Sequence, residues 1–167
     1  MDDAVEEVLL GTAPSCPPAD GEAVGALGDL SCAEGLIRLS HVVQGVFRRT
    51  SEQHGLTAVQ ARLLCVLAAG PRGMAELARC FGVEKAALTG LVDRAERNGL
   101  VARSAVPGDR RALRVSLTEA GRQAAIVFRV SATEALDRLV LSLAPGERER
   151  FRGAMQQVIA VGEEEVV

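Results

Sequence analysis

The sequence predicts a mainly α-helical protein that carries one β-hairpin directly after a pair of short helices. Apolar residues recur at helical spacing on both sides of Gly82, which can supply a turn between the two helices. Residues 112–117 then alternate polar and apolar side chains, with the period of a half-buried strand. Further apolar helical segments precede and follow this region. The order of elements is four helices, a two-stranded wing and two more helices, which is a winged helix-turn-helix with a helical dimerisation region.

The first two helices each begin with the spacing of a capping box, in which two side chains satisfy backbone donors at the helix start. The pairs are Ser31 with Glu34 and Thr57 with Gln60. The first helix is predicted over 31–54, with Leu36, Leu39, Val43, Val46 and Phe47 at helical spacing. The second is strongly apolar and stops at Gly70 and Pro71.

Two short amphipathic helices follow around Gly82. The first stripe consists of Met74, Leu77, Ala78 and Phe81, and the second of Leu88, Leu91, Val92 and Ala95. Opposite the second stripe lie Ala86, Gly90, Arg94 and Arg97, flanked by Lys85, Thr89 and Asp93. Small residues on this face would let the backbone come close to a groove. The competing interpretation is an ordinary solvated helix face.

A hairpin follows the second of these helices. Asn98 and Gly99 end the helix, and Leu100 to Val106 is predicted as the first strand. Leu113, Val115 and Leu117 mark the buried side of the second strand. The tip, residues 107–111, contains Pro-Gly-Asp-Arg-Arg. A basic hairpin of this kind can be a solvated loop, but its place directly after a helix-turn-helix favours a wing.

Charge is distributed unevenly along the chain. Residues 1–34 hold eight acidic residues and no Lys or Arg, and we predict a flexible acidic tail over 1–28. Residues 72–115 hold nine Lys or Arg against five Asp or Glu, although the net charge of the chain is −3. A partner that selects positive charge would meet the middle of the chain. The acidic N-terminus and the absence of an 18-residue apolar stretch predict a cytoplasmic protein without a membrane partner.

The last third of the chain is predicted to be helical. Thr118 can cap a helix that runs to about Leu143, and Pro145 can start a last helix. The last helix carries Phe151, Met155, Val158 and Ile159. We assign 57–118 to the winged helix-turn-helix and assign 31–54 and 118–162 to dimerisation, within a single domain over 29–162. Residues 163–167 are interpreted as a short acidic tail.

Three motifs in residues 31–162 resemble those of the MarR family of bacterial transcriptional regulators. They are LTGLVDRAERNGLVAR at 88–103, GDRRALRVSLTEAG at 108–121 and LAPGERERF at 143–151. The resemblance implies a homodimer that binds a pseudo-palindromic operator in double-stranded DNA. It also implies a repressor that releases DNA when a small molecule binds or a cysteine is oxidised.

The resemblance assigns roles to individual residues. Arg111 resembles the wing arginine that enters the minor groove, Asp109 the acid that positions it, and Arg110 a phosphate contact. Ala86, Ala87 and Gly90 depart from the small hydroxyl residues and arginine that relatives often carry. With Lys85, Thr89 and Arg94 remaining, we expect affinity to come mainly from phosphates and groove shape.

The sequence leaves two switches open. Cys32, in the first turn of a helix, is a candidate redox sensor, because a helix dipole favours the thiolate. Alternatively, Arg38, His41 and Arg62 could hold a small aromatic anion between the dimerisation region and the winged part. Cys65 is expected to be inert core.

Other classes of function are disfavoured. Two histidines, no Gly-x-Ser-x-Gly, no phosphate-binding loop and no clustered carboxylates argue against an enzyme. The cysteine spacing indicates no zinc site and no disulfide framework, and no cofactor is predicted. The alternative that remains is a winged helix used only for protein contacts, which the overall acidity and the small residues of the recognition helix would favour.

Overall fold

A computed structural model describes residues 30–106 and 109–166, and the predicted tail over 1–28 lies outside them. The described helices are α1 (Cys32–Gln53), α2 (Ala58–Ala68), α3 (Met74–Phe81), α4 (Lys85–Arg97), α5 (Glu119–Val140) and α6 (Pro145–Val166). The strands are β1 (Arg72–Gly73), β2 (Val101–Val106) and β3 (Asp109–Leu117). The predicted winged helix-turn-helix is confirmed.

Both predicted capping boxes are present. The Ser31 hydroxyl accepts a hydrogen bond from the Glu34 backbone N–H at 3.2 Å, and the Glu34 carboxylate accepts from the Ser31 N–H at 3.1 Å. Thr57 and Gln60 make the same reciprocal pair at the start of α2. The hydrogen bonds from the Ser31 side chain and backbone lower the pKa of Glu34. Local sequence therefore fixes where the first two helices begin.

The core of the winged part forms where the predicted apolar stripes meet. Its largest fully buried side chains include Leu63 and Leu64 of α2, Leu77 of α3, Leu88, Leu91 and Val92 of α4, Val101 and Val115 of the sheet, and Phe128 of α5. Gly82 ends α3 with φ 66°, a left-handed conformation that glycine adopts without strain. The Phe47 and Phe128 rings meet edge to face with centroids 5.5 Å apart, which ties α1 to α5.

The three strands form an antiparallel sheet in the order β1-β3-β2. Strand β1 pairs Arg72 with Val115 and Gly73 with Arg114. Strand β1 was not predictable from the sequence, because two residues are too few to show an alternating pattern. Strand β2 pairs Val101 with Leu117 at the base of the hairpin. The hairpin is thus attached to the core at its base.

Helix α5 starts against the turn that follows α4. The Thr118 hydroxyl donates to the Gly99 carbonyl at 2.6 Å and accepts from the Gly121 N–H at 3.0 Å, which confirms Thr118 as the cap. The Thr118 N–H also donates to the Leu100 carbonyl at 3.1 Å. A Cβ built on Gly121 would lie 1.8 Å from the Leu100 oxygen, so only glycine fits there. This contact sets where α5 leaves the hairpin.

The C-terminal boundaries differ from the prediction. Helix α5 ends at Val140, three residues before Leu143, because a turn over 141–143 leads into Ala144, which precedes proline. Pro145 begins α6 as predicted. Helix α6 continues to Val166, so residues 163–166 of the predicted acidic tail are helical.

The chain divides into two compact units, the first ending at Ala132 and the second beginning at Thr133, whereas the sequence analysis assigned one domain over 29–162. Ala132 is the last residue of α5 in the core of the first unit. None of the described α5 residues from 133 to 140 is fully buried. In the second unit, the Arg148 guanidinium donates to the Leu143 carbonyl at 3.1 Å, and Glu147 accepts from the Ala144 N–H.

Candidate nucleic-acid interface

Helix α4 turns its apolar stripe to the core and its opposite face to solvent. The side chains of Leu88, Leu91, Val92 and Ala95 are at most 1% exposed. On the other face Ala86, Thr89 and Arg97 are exposed, and Gly90 and Arg94 are half-buried. Lys85 is the first residue of the helix, and its side chain lies outside what the structure describes. The residues predicted to form the face opposite the apolar stripe therefore do lie on one side of α4.

The centre of this face has little side-chain bulk. A Cβ added at Gly90 would meet only the Arg94 guanidinium, at 3.8 Å. The neighbouring Ala86 adds one methyl group. A rigid partner could approach the α4 backbone closely here, with the cation of Arg94 beside it.

The wing strands adjoin α4. Asp109, Arg110 and Arg111 lie in strand β3 by their backbone. Residues 107 and 108 at the hairpin tip, and the side chains of 109–112, lie outside the described part of the structure. The roles predicted for Asp109, Arg110 and Arg111 therefore stay predictions. Arg114, further along β3, is exposed.

A residue that the sequence analysis gave no role connects the wing to α4. Arg103 of β2 donates from its guanidinium to the Glu96 and Asp93 carboxylates, at 2.6 Å in each case. The Arg103 backbone N–H also donates to Glu96 at 3.1 Å. The only signal in the sequence was a pair of acids three residues apart near the end of one helix, followed by an arginine on the next strand.

The ligand role predicted for Arg38, His41 and Arg62 stays a prediction. Arg62 donates to the Cys80 carbonyl at 3.0 Å, and its guanidinium lies 4.7 Å from the centre of the Phe81 ring. It therefore links α2 to the end of α3, with a cation–π contact. Arg38 and His41 are exposed on α1. No described contact joins Arg38 or His41 to Arg62.

A cavity of about 390 Å³ lies elsewhere in the first unit, between α2, the loop after it, strand β3 and α5. It is lined by Cys65, Leu67, Ala68, Gly70, Pro71, Ser116, Leu117, Arg122, Ala125, Ile126 and Arg129. Arg122 donates to Glu119 at 2.7 Å and to the Leu117 carbonyl at 3.1 Å. Two cations over an apolar wall can hold an anion with an apolar body. The sequence could not show this, because the lining comes from three separate segments.

The cysteines differ in exposure. Cys32, the first residue of α1, and Cys80 are exposed thiols. Cys65 is half-buried and lines the cavity, so it is less enclosed than the expected inert core residue. Burial raises the pKa of the Cys65 thiol, and the charge of Arg129 opposes that shift. Across residues 30–106 and 109–166, no three His, Cys, Asp or Glu side chains are grouped to hold a metal ion.

The helices of the described chain include none that is both long enough and apolar enough to cross a membrane. The long helices α1, α5 and α6 nevertheless expose apolar side chains. These are Leu36, Ile37, Leu39 and Val42 on α1, Ile126, Val127, Val130 and Leu139 on α5, and Met155, Val158, Ile159 and Val161 on α6.

Comparison with known proteins identifies the family. A model of the MarR family matches residues 54–112, which span α2 to the first residues of β3. The transcriptional repressor NicR of Pseudomonas putida is 35% identical over 115 residues, covering 68% of this chain and 73% of NicR. The homoprotocatechuate degradative operon repressor of Escherichia coli is 27% identical over 128 residues, covering 76% of this chain and 86% of the repressor.

Solved structures agree with this assignment. RV1404 of Mycobacterium tuberculosis superposes with a TM-score of 0.69 at 27% identity, covering 82% of this chain and 98% of RV1404. The C80S variant of MarR from E. coli gives a TM-score of 0.71 at 21% identity, which shows the shared fold. The winged helix-turn-helix and the match to NicR lead to one conclusion: the chain belongs to the MarR family and is a DNA-binding transcriptional regulator.

Proposed function

We propose that the protein is a cytoplasmic repressor that binds a pseudo-palindromic operator as a homodimer. Helix α4 would enter the major groove, and the tip of the hairpin would enter the minor groove. The observation that carries this proposal is the solvent-facing side of α4, which combines small residues with Arg94 and Arg97 next to a basic hairpin. Relatives that are named repressors support the direction of regulation.

The side chains on α4 favour contacts to the DNA backbone over contacts to base edges. Ala86 and Gly90 carry no hydrogen-bonding group, so they let the helix approach without reading a base. Thr89 and Arg94 are the described polar residues at the centre of the face, and Lys85 precedes them. Most of the affinity would then come from phosphates and from groove shape.

A homodimer would cover apolar surface that a monomer leaves in water. Among the side chains that the structure describes, each of the helices α1, α5 and α6 exposes four large apolar ones. Exposed apolar side chains in such numbers are typical of surfaces that meet a partner. A two-fold dimer would present two copies of α4 to successive major grooves, about 34 Å apart.

The test is selection of duplexes from a random pool or from DNA upstream of the gene, followed by footprinting. We expect a protected pseudo-palindrome of about 16 to 20 base pairs, as for two half-sites one helical turn apart. Sizing at micromolar concentration should give a dimer. A protein that retains no duplex in either selection would favour the alternative of a winged helix used only for protein contacts.

We propose further that the cavity beside α5 holds a small aromatic anion that releases the DNA. Its volume of about 390 Å³ falls in the range of small-ligand sites. Arg122 and Arg129 would meet the anion, and Leu67, Ala125 and Ile126 its apolar body. This assignment replaces Arg38, His41 and Arg62. It is supported by a relative named for an operon that degrades homoprotocatechuate, an aromatic acid.

The ligand prediction compares Arg129→Ala with Arg38→Ala, which makes the same change on exposed α1. Salicylate should release operator DNA from the wild type and from Arg38→Ala, but act about tenfold less well on Arg129→Ala, because one charge-assisted contact is lost. Salicylate should also slow alkylation of Cys65 relative to the exposed Cys32 and Cys80, as read by peptide mass spectrometry.

Equal sensitivity of both arginine variants to salicylate, with Cys65 not protected from alkylation, would reject the cavity as the ligand site.

A parallel series with peroxide tests the redox switch. If oxidation of Cys32 is the signal, peroxide should release DNA from the wild type and not from Cys32→Ser. Release from both proteins would remove Cys32 as the sensor.

A further inference from the structure

Among the side chains of the hairpin that the structure describes, the buried apolar ones lie near its base. Val101 and Val115 are at most 2% exposed, and both lie in the first rungs of the β2–β3 pairing. Beyond Val101, the described residues 102–105 of β2 include no buried side chain, and Leu113 on the opposite strand is 45% exposed. Beyond this base, the described residues of the wing therefore have no buried apolar side chain that attaches them to the rest of the protein.

Arg103 lies where that packing ends. It is opposite Val115 in the sheet and, by strand alternation, shares a face with Val101. Its side chain is 20% exposed, and its guanidinium donates to Glu96 and Asp93 of α4, each at 2.6 Å. The Arg103 backbone N–H adds a third bond, to Glu96. Of the described β2 side chains, it is the outermost with an ion pair to α4.

We propose that Arg103 is a positioning residue for DNA binding, which holds the wing at a fixed angle to the recognition helix through Asp93 and Glu96. The proposal rests on the proposed function. A planar guanidinium that bonds two carboxylates on successive turns of a helix restrains both distance and direction. The minor groove is only about 6 Å wide, so a wing free to swing would seldom place its tip correctly.

The ion pairs also shape the charge beside the DNA face. Asp93 and Glu96 lie near the end of α4, where uncompensated acids would repel phosphates. Partial burial lowers the pKa of Arg103, while the hydrogen bonds that it donates to Asp93 and Glu96 and their negative charges raise it, with a net rise. The guanidinium stays positively charged and offsets one of the two negative charges of Asp93 and Glu96.

The experiment uses the full-length protein and measures its affinity for operator and for unrelated duplex across salt concentrations. Arg103→Gln should lower operator affinity about tenfold, with a smaller loss on unrelated duplex and an unchanged salt slope, because Arg103 contacts no phosphate. Arg103→Lys should recover part of the loss, since lysine keeps the charge but lacks the fork. The matched control is Arg48→Gln, which breaks an exposed pair with Glu52 on α1 and should leave both affinities unchanged.

The double variant Asp93→Asn with Glu96→Gln is the sharper test, and it keeps the proposal testable if Arg103→Gln fails to fold. Removing two acids beside DNA should strengthen binding to unrelated duplex by simple electrostatics. Loss of positioning should weaken operator binding, so the ratio of operator to unrelated affinity should fall about tenfold. Equal strengthening on both duplexes would overturn the proposal.

A salt slope that falls by about two units in Arg103→Gln would also overturn it, because Arg103 would then be a direct phosphate contact. If Arg103→Gln bound both duplexes as tightly as the wild type, the proposal would be wrong, and the contacts of Arg103 would be ordinary surface ion pairs without a role in DNA binding. Failure of the wild type to bind any duplex would instead reject the proposed function, and the two failures are thereby distinguished.

Discussion

Replacing Arg111 with alanine is expected to weaken operator binding about 30-fold or more while leaving the fold intact. A wing arginine in a narrow, strongly negative minor groove contributes about 1 to 3 kcal/mol, and a dimer loses two of them. The salt slope of the affinity should fall by about two units, because two cations are removed. Fluorescence anisotropy with a labelled operator, across a salt series, measures both quantities.

Two variants serve as references for Arg111→Ala. Arg138→Ala removes the same charge from an exposed position on α5, outside the winged segment, and should bind the operator as the wild type does. Asp109→Ala should weaken binding less than Arg111→Ala, since it removes the predicted positioning acid and leaves the cation. If Arg111→Ala bound its operator as tightly as the wild type at the same salt, the assignment of the wing would be wrong.

Gly121→Ala is expected to destabilise the protein strongly. The new Cβ would lie 1.8 Å from the oxygen and 2.8 Å from the carbon of the Leu100 carbonyl, and backbone atoms cannot rotate away. Helix α5 would have to shift, which strains the hydrogen bonds from Thr118 to Gly99 and Leu100. We expect a loss of about 3 kcal/mol in the free energy of unfolding, which lowers Tm by roughly 6 to 12 °C.

Gly153→Ala is the matched control. Gly153 lies inside helix α6, and a Cβ there would meet no atom within 4 Å. Alanine is the better helix former by up to about 1 kcal/mol, so this variant should be as stable as the wild type or more so. A Gly121→Ala protein whose Tm lay within about 2 °C of the wild type would contradict the packing described at Leu100, because the expected shift is several times larger.

The features that local sequence determines were predictable. Ser31 with Glu34 and Thr57 with Gln60 satisfy backbone donors within one turn, so their spacing alone predicts where the helices start. The left-handed turn at Gly82 and the cap at Thr118 likewise depend on residues that are close in the sequence.

The features that depend on distant segments were not predictable. The segment Leu117-Thr118-x-x-Gly121 is part of a motif that carries the family resemblance. The reason for its glycine, which is the close approach of the Leu100 carbonyl, becomes visible only in the fold. Arg62 was proposed as one of three polar groups for a ligand, and its contacts with Cys80 and Phe81 are with residues 18 and 19 positions away in the sequence. The cavity with Arg122 and Arg129 was not predictable for the same reason, because its lining residues come from segments that are far apart in the sequence.

The most direct test of the account is the affinity of the wild-type dimer for its selected operator, measured across a salt series beside an unrelated duplex of equal length. We expect operator binding to be at least about 1,000-fold tighter than binding to unrelated DNA at physiological salt. We also expect a slope of log affinity against log salt of roughly −4 or steeper, as for four or more neutralised phosphates. Equal binding to both duplexes, or an affinity that does not change with salt, would contradict the account.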